Sequence, residues 1–396
     1  MDDELVVAIK KETEQVFGRR IVSSRDCNAL SEEIFTKTGF KINSNTLRRF
    51  FGLVKASHPA SSGTLQILST YCGFKSGDEI KKLHNWGKGG EIILTESNIL
   101  DYLIYPFENI QVKAENDETF LSLVKGVIIF INRYPQLAHK FHREIAKTHN
   151  GQVFYFEQFV NLDKLNSFYG DGIRYYLAEK KTVDAQIFGH SLLVFRYWLT
   201  KDNEKLSTHF KALKAIRPVR SSNPFICGRY FSSRLYYAHS HGLNTEKLLI
   251  EAHKSFYSLR QSDEGYSLYR SFEYVFVQAL VLTGHHEEAL FYIQNVKKSV
   301  SKRRFETDIP FYETLVLLET MALFKSGSHK QAERIFNDIK PSSFYFLSKK
   351  YKTILYLWIT NFCKRAVGKT NDQLKALIEE TGFIRFNDDS FSSKAL

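Results

Sequence analysis

The chain has 396 residues, of which 43% are hydrophobic and 25% charged, and its formal net charge is +12. That length suits two or three domains or one extended repeat array, and the composition is that of an ordinary soluble globular protein. Only seven prolines argue against a linker-rich or disordered chain, while the basic balance favours an acidic partner such as nucleic acid without proving one.

Thirty-three phenylalanines and twenty-one tyrosines predict a core built around flat rings. Cys27, Cys72, Cys227 and Cys363 stand singly, so neither a zinc knuckle nor a disulfide framework is indicated. The opening MDDELVVAIKKE is acidic and lacks the basic and apolar regions of a signal peptide. The longest apolar window, Leu315 to Phe324, is interrupted by Glu319, which predicts no membrane span. The expectation is a cytoplasmic, reduced protein.

Residues 2–18 suit a first helix, with Leu5, Ile9 and Val16 apolar and Lys10, Lys11 and Glu12 outward. Arg19, Arg20 and Arg25 surround the connection that follows. The next stretch, residues 26–80, carries the most specific signal. Leu30 and Ile34 share a helix face, and the pattern breaks around Gly39, which tolerates the positive φ of a tight turn. Ser44 or Asn45 can cap a helix reading Thr46-Leu47-Arg48-Arg49-Phe50-Phe51, with Leu47, Phe50 and Phe51 on one side. After the turn residues Ser57, Pro59 and Gly63, a further helix over Thr64 to Cys72 places Leu65, Leu68 and Cys72 on its apolar face. Between Glu33 and Asp78 no acid occurs, whereas Lys37, Lys41, Arg48, Arg49, Lys55 and Lys75 do.

This order resembles the lambda-repressor-like helix-turn-helix family, with the closest likeness in SSGTLQILSTYCGFKSGDEI and a connection longer than that family's tight turn. The resemblance implies double-stranded DNA as partner. It places Ser44, Asn45, Thr46, Arg48 and Arg49 at base edges in the major groove and Lys37, Lys41 and Lys55 on phosphates. The bland alternative is a small helical cap or dimerisation module.

Gly87, Gly89 and Gly90 punctuate the chain after Trp86, dividing it into domain 1–86, linker 87–98 and domain 99–396. Helix after helix is expected beyond Asn98. Residues 120–133, FLSLVKGVIIFINR, are rich in β-branched residues but read as a buried helix. Ser167 to Gly172 reads as a turn. Gly242, Gly284, Gly327 and Gly368 then fall 42, 43 and 41 residues apart, each between an apolar helix and a second helix. An earlier hairpin without the glycine is expected at FRYWLTKDNEKLSTHFKAL. A fixed period of this size predicts a helical solenoid. GHHEEAL and GSHKQAE, with Ala289 and Ala332 five residues after the glycine and Pro341 beyond, resemble tetratricopeptide repeats of longer than usual period. That resemblance implies a peptide or protein partner on the concave face.

No phosphate-binding loop, dinucleotide turn, metalloprotease helix or nucleophile elbow occurs, so no enzyme activity and no cofactor is expected. His139 and His142 lie at i, i+3, but further metal ligands are not identifiable; His239 with His241, and His285 with His286, read as structural. Between Glu204 and Glu246 there is again no acid, while Lys205, Lys211, Lys214, Arg217, Arg220, Arg229 and Arg234 alternate with Tyr230, Phe231, Tyr236 and Tyr237. Two readings stand for this stretch: a second anion surface, or arginines packed on aromatic faces. Lys297, Lys298, Lys302, Arg303 and Arg304 read as a decorated loop. The expectation is therefore an all-α protein: an N-terminal helix-turn-helix domain, then an α-solenoid. The two resemblances together imply a DNA-binding transcription regulator that responds to a ligand or partner, with a homodimer compatible with that layout. The rival is a non-enzymatic interaction scaffold.

Overall fold

The computed structural model of the protein describes residues 3–55, 59–74, 76, 79, 96–219, 222–259, 271–300, 309–363 and 368–388. Every regular element among them is helical, the class expected. The chain divides into two compact units, Met1–Thr95 and Glu96–Leu396. Of the expected boundary, Trp86 and residues 87–95 lie outside the described residues. Glu96 to Asn98, expected in the linker, form the first turn of a helix.

The first unit contains α1 (Asp3–Phe17), α2 (Ser24–Thr38), α3 (Ser44–Phe50) and α4 (Ser62–Tyr71). α1 and α2 both pack on α4, and α2 on α3. Ile9, Leu30, Ile34, Leu47 and Leu68 meet in its core, each fully buried. Val16, expected on the apolar side of α1, is exposed instead. α2 begins with a reciprocal cap: Ser23 Oγ accepts from Asp26 N, and the Asp26 carboxylate accepts from Ser23 N at 3.0 Å.

The second unit starts with α5 (Glu96–Asn109), α6 (Glu118–Arg133) and α7 (Ala138–Ile145). The β-branched run of α6 is helical, because Val124, Val127, Ile128 and Ile131 form one buried stripe. A π-helical turn, Gly151–Glu157, and a 3₁₀ turn, Leu162–Lys164, lead to α8 (Phe168–Glu179). The expected turn at 167–172 is therefore wrong: Gly170 and Gly172 lie inside α8. They serve close packing, since a Cβ on Gly170 would stand 1.9 Å from Leu165 O and one on Gly172 would stand 2.6 Å from His142 Nδ1.

Five helix pairs follow: α9 (Val183–Leu199) with α10 (Asn203–Lys214), α11 (Pro224–Ser240) with α12 (Glu246–Leu259), α13 (Phe272–Leu282) with α14 (His286–Val300), α15 (Ile309–Lys325) with α16 (His329–Asn337), and α17 (Lys349–Phe362) with α18 (Gly368–Thr381). Each first helix packs on its own partner and on the first helix of the next pair. Burial follows this order. All of α13 except Tyr274 is buried, whereas α10 buries only Leu206 and Leu213, and α16 only Ala332 and Phe336.

The periodic glycines explain the hairpins. Gly242, Gly284 and Gly327 have φ of 60°, 90° and 80°, and the residue after each donates its N–H to a carbonyl five residues back. This is the Schellman closure, which needs a left-handed residue. Lys201, φ 55°, holds the same position 41 residues before Gly242, in the hairpin expected to lack the glycine. Gly368 differs: it is the first residue of α18, and residues 364–367 before it lie outside the described set.

The last pair also folds back on earlier chain. Asp163 caps α17, its carboxylate accepting from Lys350 N at 3.0 Å and Tyr351 N at 2.9 Å. Ser348 Oγ accepts from Leu162 N and donates to Val160 O. A 3₁₀ turn, Ile384–Asn387, packs on α9, where Arg385 Nε donates to Trp198 O at 3.0 Å and Lys201 pairs with Asp388. Between the first helices, Phe195 stacks on Tyr236 and meets Tyr351 edge-on, while Gln278 donates to Tyr351 OH at 2.6 Å. The void beside them is about 10 Å³. Between these first helices the space is filled by the chain's own rings.

Candidate nucleic-acid interface

The site begins with how α2 hands the chain to α3. Gly39, φ 74°, ends α2 with its N–H on Phe35 O. Four residues later the cap of α3 is Asn43, neither Ser44 nor Asn45: Asn43 Oδ1 accepts from Asn45 N at 2.8 Å. The loop is pinned to α2 by a buried bond from Ser31 Oγ to Ile42 O at 2.6 Å, and Ile42 itself is buried. At its far end α3 closes through Gly52, φ 80°, with Leu53 N donating to Arg48 O at 2.8 Å.

α3 thus has a fixed inner and outer side. Leu47 and Phe50 are buried, as the apolar spacing predicts, and Phe51 is half-buried in edge contact with Phe50. Opposite them, Asn45 and Arg49 stand exposed one turn apart, and Arg49 makes no ion pair among the described residues. Ser44 and Thr46 are half-buried on the flanks.

The two arginines are not equivalent. Arg48 lies half-buried along α2, its Nη1 donating to Asn45 Oδ1 at 3.2 Å and its buried Nε without a hydrogen bond among the described residues. Burial pushes the Cys27 thiol pKa up, and the Arg48 guanidinium beside it works the other way. Arg48 is placed to orient Asn45, while Arg49 is the arginine open to a ligand.

Two of the three lysines have carboxylate partners. Lys37 Nζ lies 2.9 Å from Glu33 and over the Tyr71 ring at 5.1 Å, and Lys41 Nζ lies 3.9 Å from Glu32. Tyr71 OH also donates to Glu33 at 2.7 Å. Burial pushes the Glu33 pKa up, but the bonds from Lys37 and Tyr71 outweigh it and hold the carboxyl below its usual value. Lys55 is exposed, and Lys75 lies outside the described residues. The acid-free run of sequence is therefore not an acid-free surface, because Glu32 and Glu33 reach into it from α2.

The histidine pairs come apart in space. His142 is fully buried against Tyr155 OH at 2.8 Å, its pKa pushed down to about 3 by burial, while His139 bonds Tyr175 OH. His239 faces Trp198, and His241 stacks on Tyr237. His285 bonds Thr245 and Thr283. Among the described residues no group of three or more His, Cys, Asp or Glu can hold a metal ion.

Part of the basic stretch after Glu204 is packed on aromatic rings. Arg229 lies over Phe188 and Phe225, and Arg234 over Tyr230 and Phe231, as packed arginines do. Lys214 and Arg217 are exposed, and Arg220 lies outside the described residues. No helix of the described residues is long and apolar enough to cross a membrane. No protein-family model, curated protein or solved structure matches this chain.

Proposed function

We propose that the first unit binds double-stranded DNA through the outer face of α3, and that the helical pairs bind a peptide, small ligand or protein partner, making the protein a transcription regulator. The observation that carries the first half is the pair Asn45 and Arg49, exposed one turn apart on a helix whose opposite face is buried. An amide and a guanidinium are the side chains that bond adenine and guanine edges bidentately. Arg48 orients Asn45 in this reading, and Lys55 is the lysine open to phosphate. The test is selection of duplexes from a randomised pool by the full chain at rising salt. Enrichment of a sequence, with affinity falling steeply as salt rises, is the expected result. A folded protein that retains no duplex at low salt rejects it.

One observation favours the rival reading, a non-enzymatic docking module. Phe35 and Phe40 are 49% and 57% exposed, and Lys37 and Lys41 beside them in sequence already face carboxylates. Under that reading Phe35→Ser with Phe40→Ser abolishes partner capture and leaves duplex retention at background in wild type and variant alike.

A further inference from the structure

Of the basic stretch, Lys214, Arg217 and Arg234 line a groove. It is formed by α10, the segment after it, α11 and α12, and encloses about 1150 Å³. Along α11 its floor is Cys227, Phe231, Arg234 and Ala238, a stripe at i, i+4, i+7 and i+11. Eleven residues of helix rise about 16 Å, or three turns. Leu213 and Leu248 add buried apolar walls, and Val219 and Leu243 stand 49% and 52% exposed at the rims.

The rim is basic. Lys214, Arg217, Lys247 and Lys254 are exposed and line the groove, and none makes an ion pair among the described residues. Among the described residues the acid lining it is Glu251, which pairs with Arg234 at 2.6 Å. Four cations without an ion pair among the described residues, around a floor that joins Cys227, Phe231 and Ala238 to the Arg234–Glu251 pair, call for an occupant with the converse pattern.

The ring geometry selects among anionic occupants. A single-stranded nucleic acid needs free aromatic faces for its bases. Tyr237 has neither face free, being stacked on Phe210 at 3.9 Å and on His241 at 4.1 Å. Tyr230 is covered by Arg234 at 5.7 Å. The space also exceeds the roughly 300–1,000 Å³ typical of small-molecule pockets. An amphipathic helix, about 10–12 Å across with its side chains, suits a three-turn floor between two flanking helices.

We propose that this groove docks an acidic amphipathic helix of a partner protein, its apolar stripe on α11 and its carboxylates on Lys214, Arg217, Lys247 and Lys254. The proposal rests on the reading of the helical pairs as a partner-binding module and places its site in this groove. It is independent of DNA binding.

The probe is a fluorescein-labelled helical peptide with Leu at i, i+3, i+4 and i+7 and Glu elsewhere, titrated with the full chain by fluorescence anisotropy at low salt. A matched peptide carries Gln for Glu. Expected are saturable binding of the Glu peptide, binding at least about tenfold weaker for the Gln peptide, and weakening by about tenfold or more in Lys214→Glu/Arg217→Glu/Lys247→Glu. The three positions are exposed, so the variant should melt with wild type, and the neutral Gln triple variant should fall between them. Binding that is unchanged in a folded triple variant overturns the groove while leaving a partner site elsewhere on the helical pairs. Failure of both peptides to bind overturns the groove and removes support from the partner-binding reading as well. Displacement of the bound peptide by a single-stranded oligonucleotide overturns the choice of occupant.

Discussion

Asp163→Ala should loosen the start of α17 by about 2–4 kcal/mol. In the native protein the side chain of Asp163 does from a distance what a local cap does elsewhere. It accepts from the second and third N–H groups of α17, while Ser348, the residue before that helix, makes no side-chain cap to it. Losing an N-cap acceptor costs about 0.5–2 kcal/mol. Tyr351 is fully buried, so its stranded N–H adds the roughly 1–3 kcal/mol penalty of an unpaired buried group. Hydrogen exchange at the Lys350 and Tyr351 amides should then accelerate by about 30-fold or more, at about 1.4 kcal/mol per tenfold. Asp163→Asn keeps one oxygen acceptor and should lose less. Burial raises the Asp163 pKa above 3.8, and the bonds from Tyr351 and Lys350 only partly oppose it. A carboxylate with a raised folded pKa contributes stability that is full below its unfolded pKa and lost as pH rises through the folded value. The stability of wild type relative to Asp163→Asn should accordingly fall as pH is raised from below 3.8. Exchange of the Tyr351 amide within a few-fold of wild type in Asp163→Ala would refute the capping argument.

Other substitutions probe the same physics. Gly284→Ala should destabilise by about 1–2 kcal/mol through backbone strain alone, since φ is 90° and nothing lies within 4 Å of the added Cβ; thermal melting reads it. Gly170→Ala should cost more than the usual 1–3 kcal/mol of overpacking, because the new Cβ meets backbone at Leu165 and cannot be accommodated by a rotamer change; the same melts compare the two. Leu47→Ala empties a fully buried site and should cost about 2–5 kcal/mol, read as early unfolding of the first unit by hydrogen exchange.

Much of the second unit was legible because its signals are local. Gly242, Gly284 and Gly327 announce hairpins because a left-handed residue after a helix strongly favours glycine. The stripe in residues 120–133 prevails over β-branching because helix burial follows periodicity. Lys201 carries the same geometry without the glycine, so only its spacing and the flanking helices point to it. Gly170 and Gly172 mislead because a glycine needed for close approach is indistinguishable in sequence from one needed for a turn. Long-range contacts such as Asp163 to Lys350 or Arg385 to Trp198 join residues nearly half the chain apart and leave no local trace. At the candidate interface the apolar side of α3 was readable from Leu47 and Phe50. The division between Arg48 and Arg49 was not, because it depends on α2 passing beside one and not the other. The pairing of Glu32 and Glu33 with Lys41 and Lys37 is hidden for a related reason: the acids precede the basic run in sequence and join it in space.

Arg49→Ala gives the most direct test of DNA recognition by α3. Exposed and without an ion pair among the described residues, Arg49 should be removable with less than about 0.5 kcal/mol change in stability. The measurement is an anisotropy titration of wild type and variant against the duplex enriched from the randomised pool and against its single-base-pair mismatches, at one salt concentration. The account predicts an unchanged melting temperature and a loss of about 1–3 kcal/mol of discrimination at one base pair, roughly 5- to 150-fold, with non-specific affinity falling far less. A folded Arg49→Ala protein that binds the enriched duplex with wild-type affinity and wild-type mismatch ratios would contradict it.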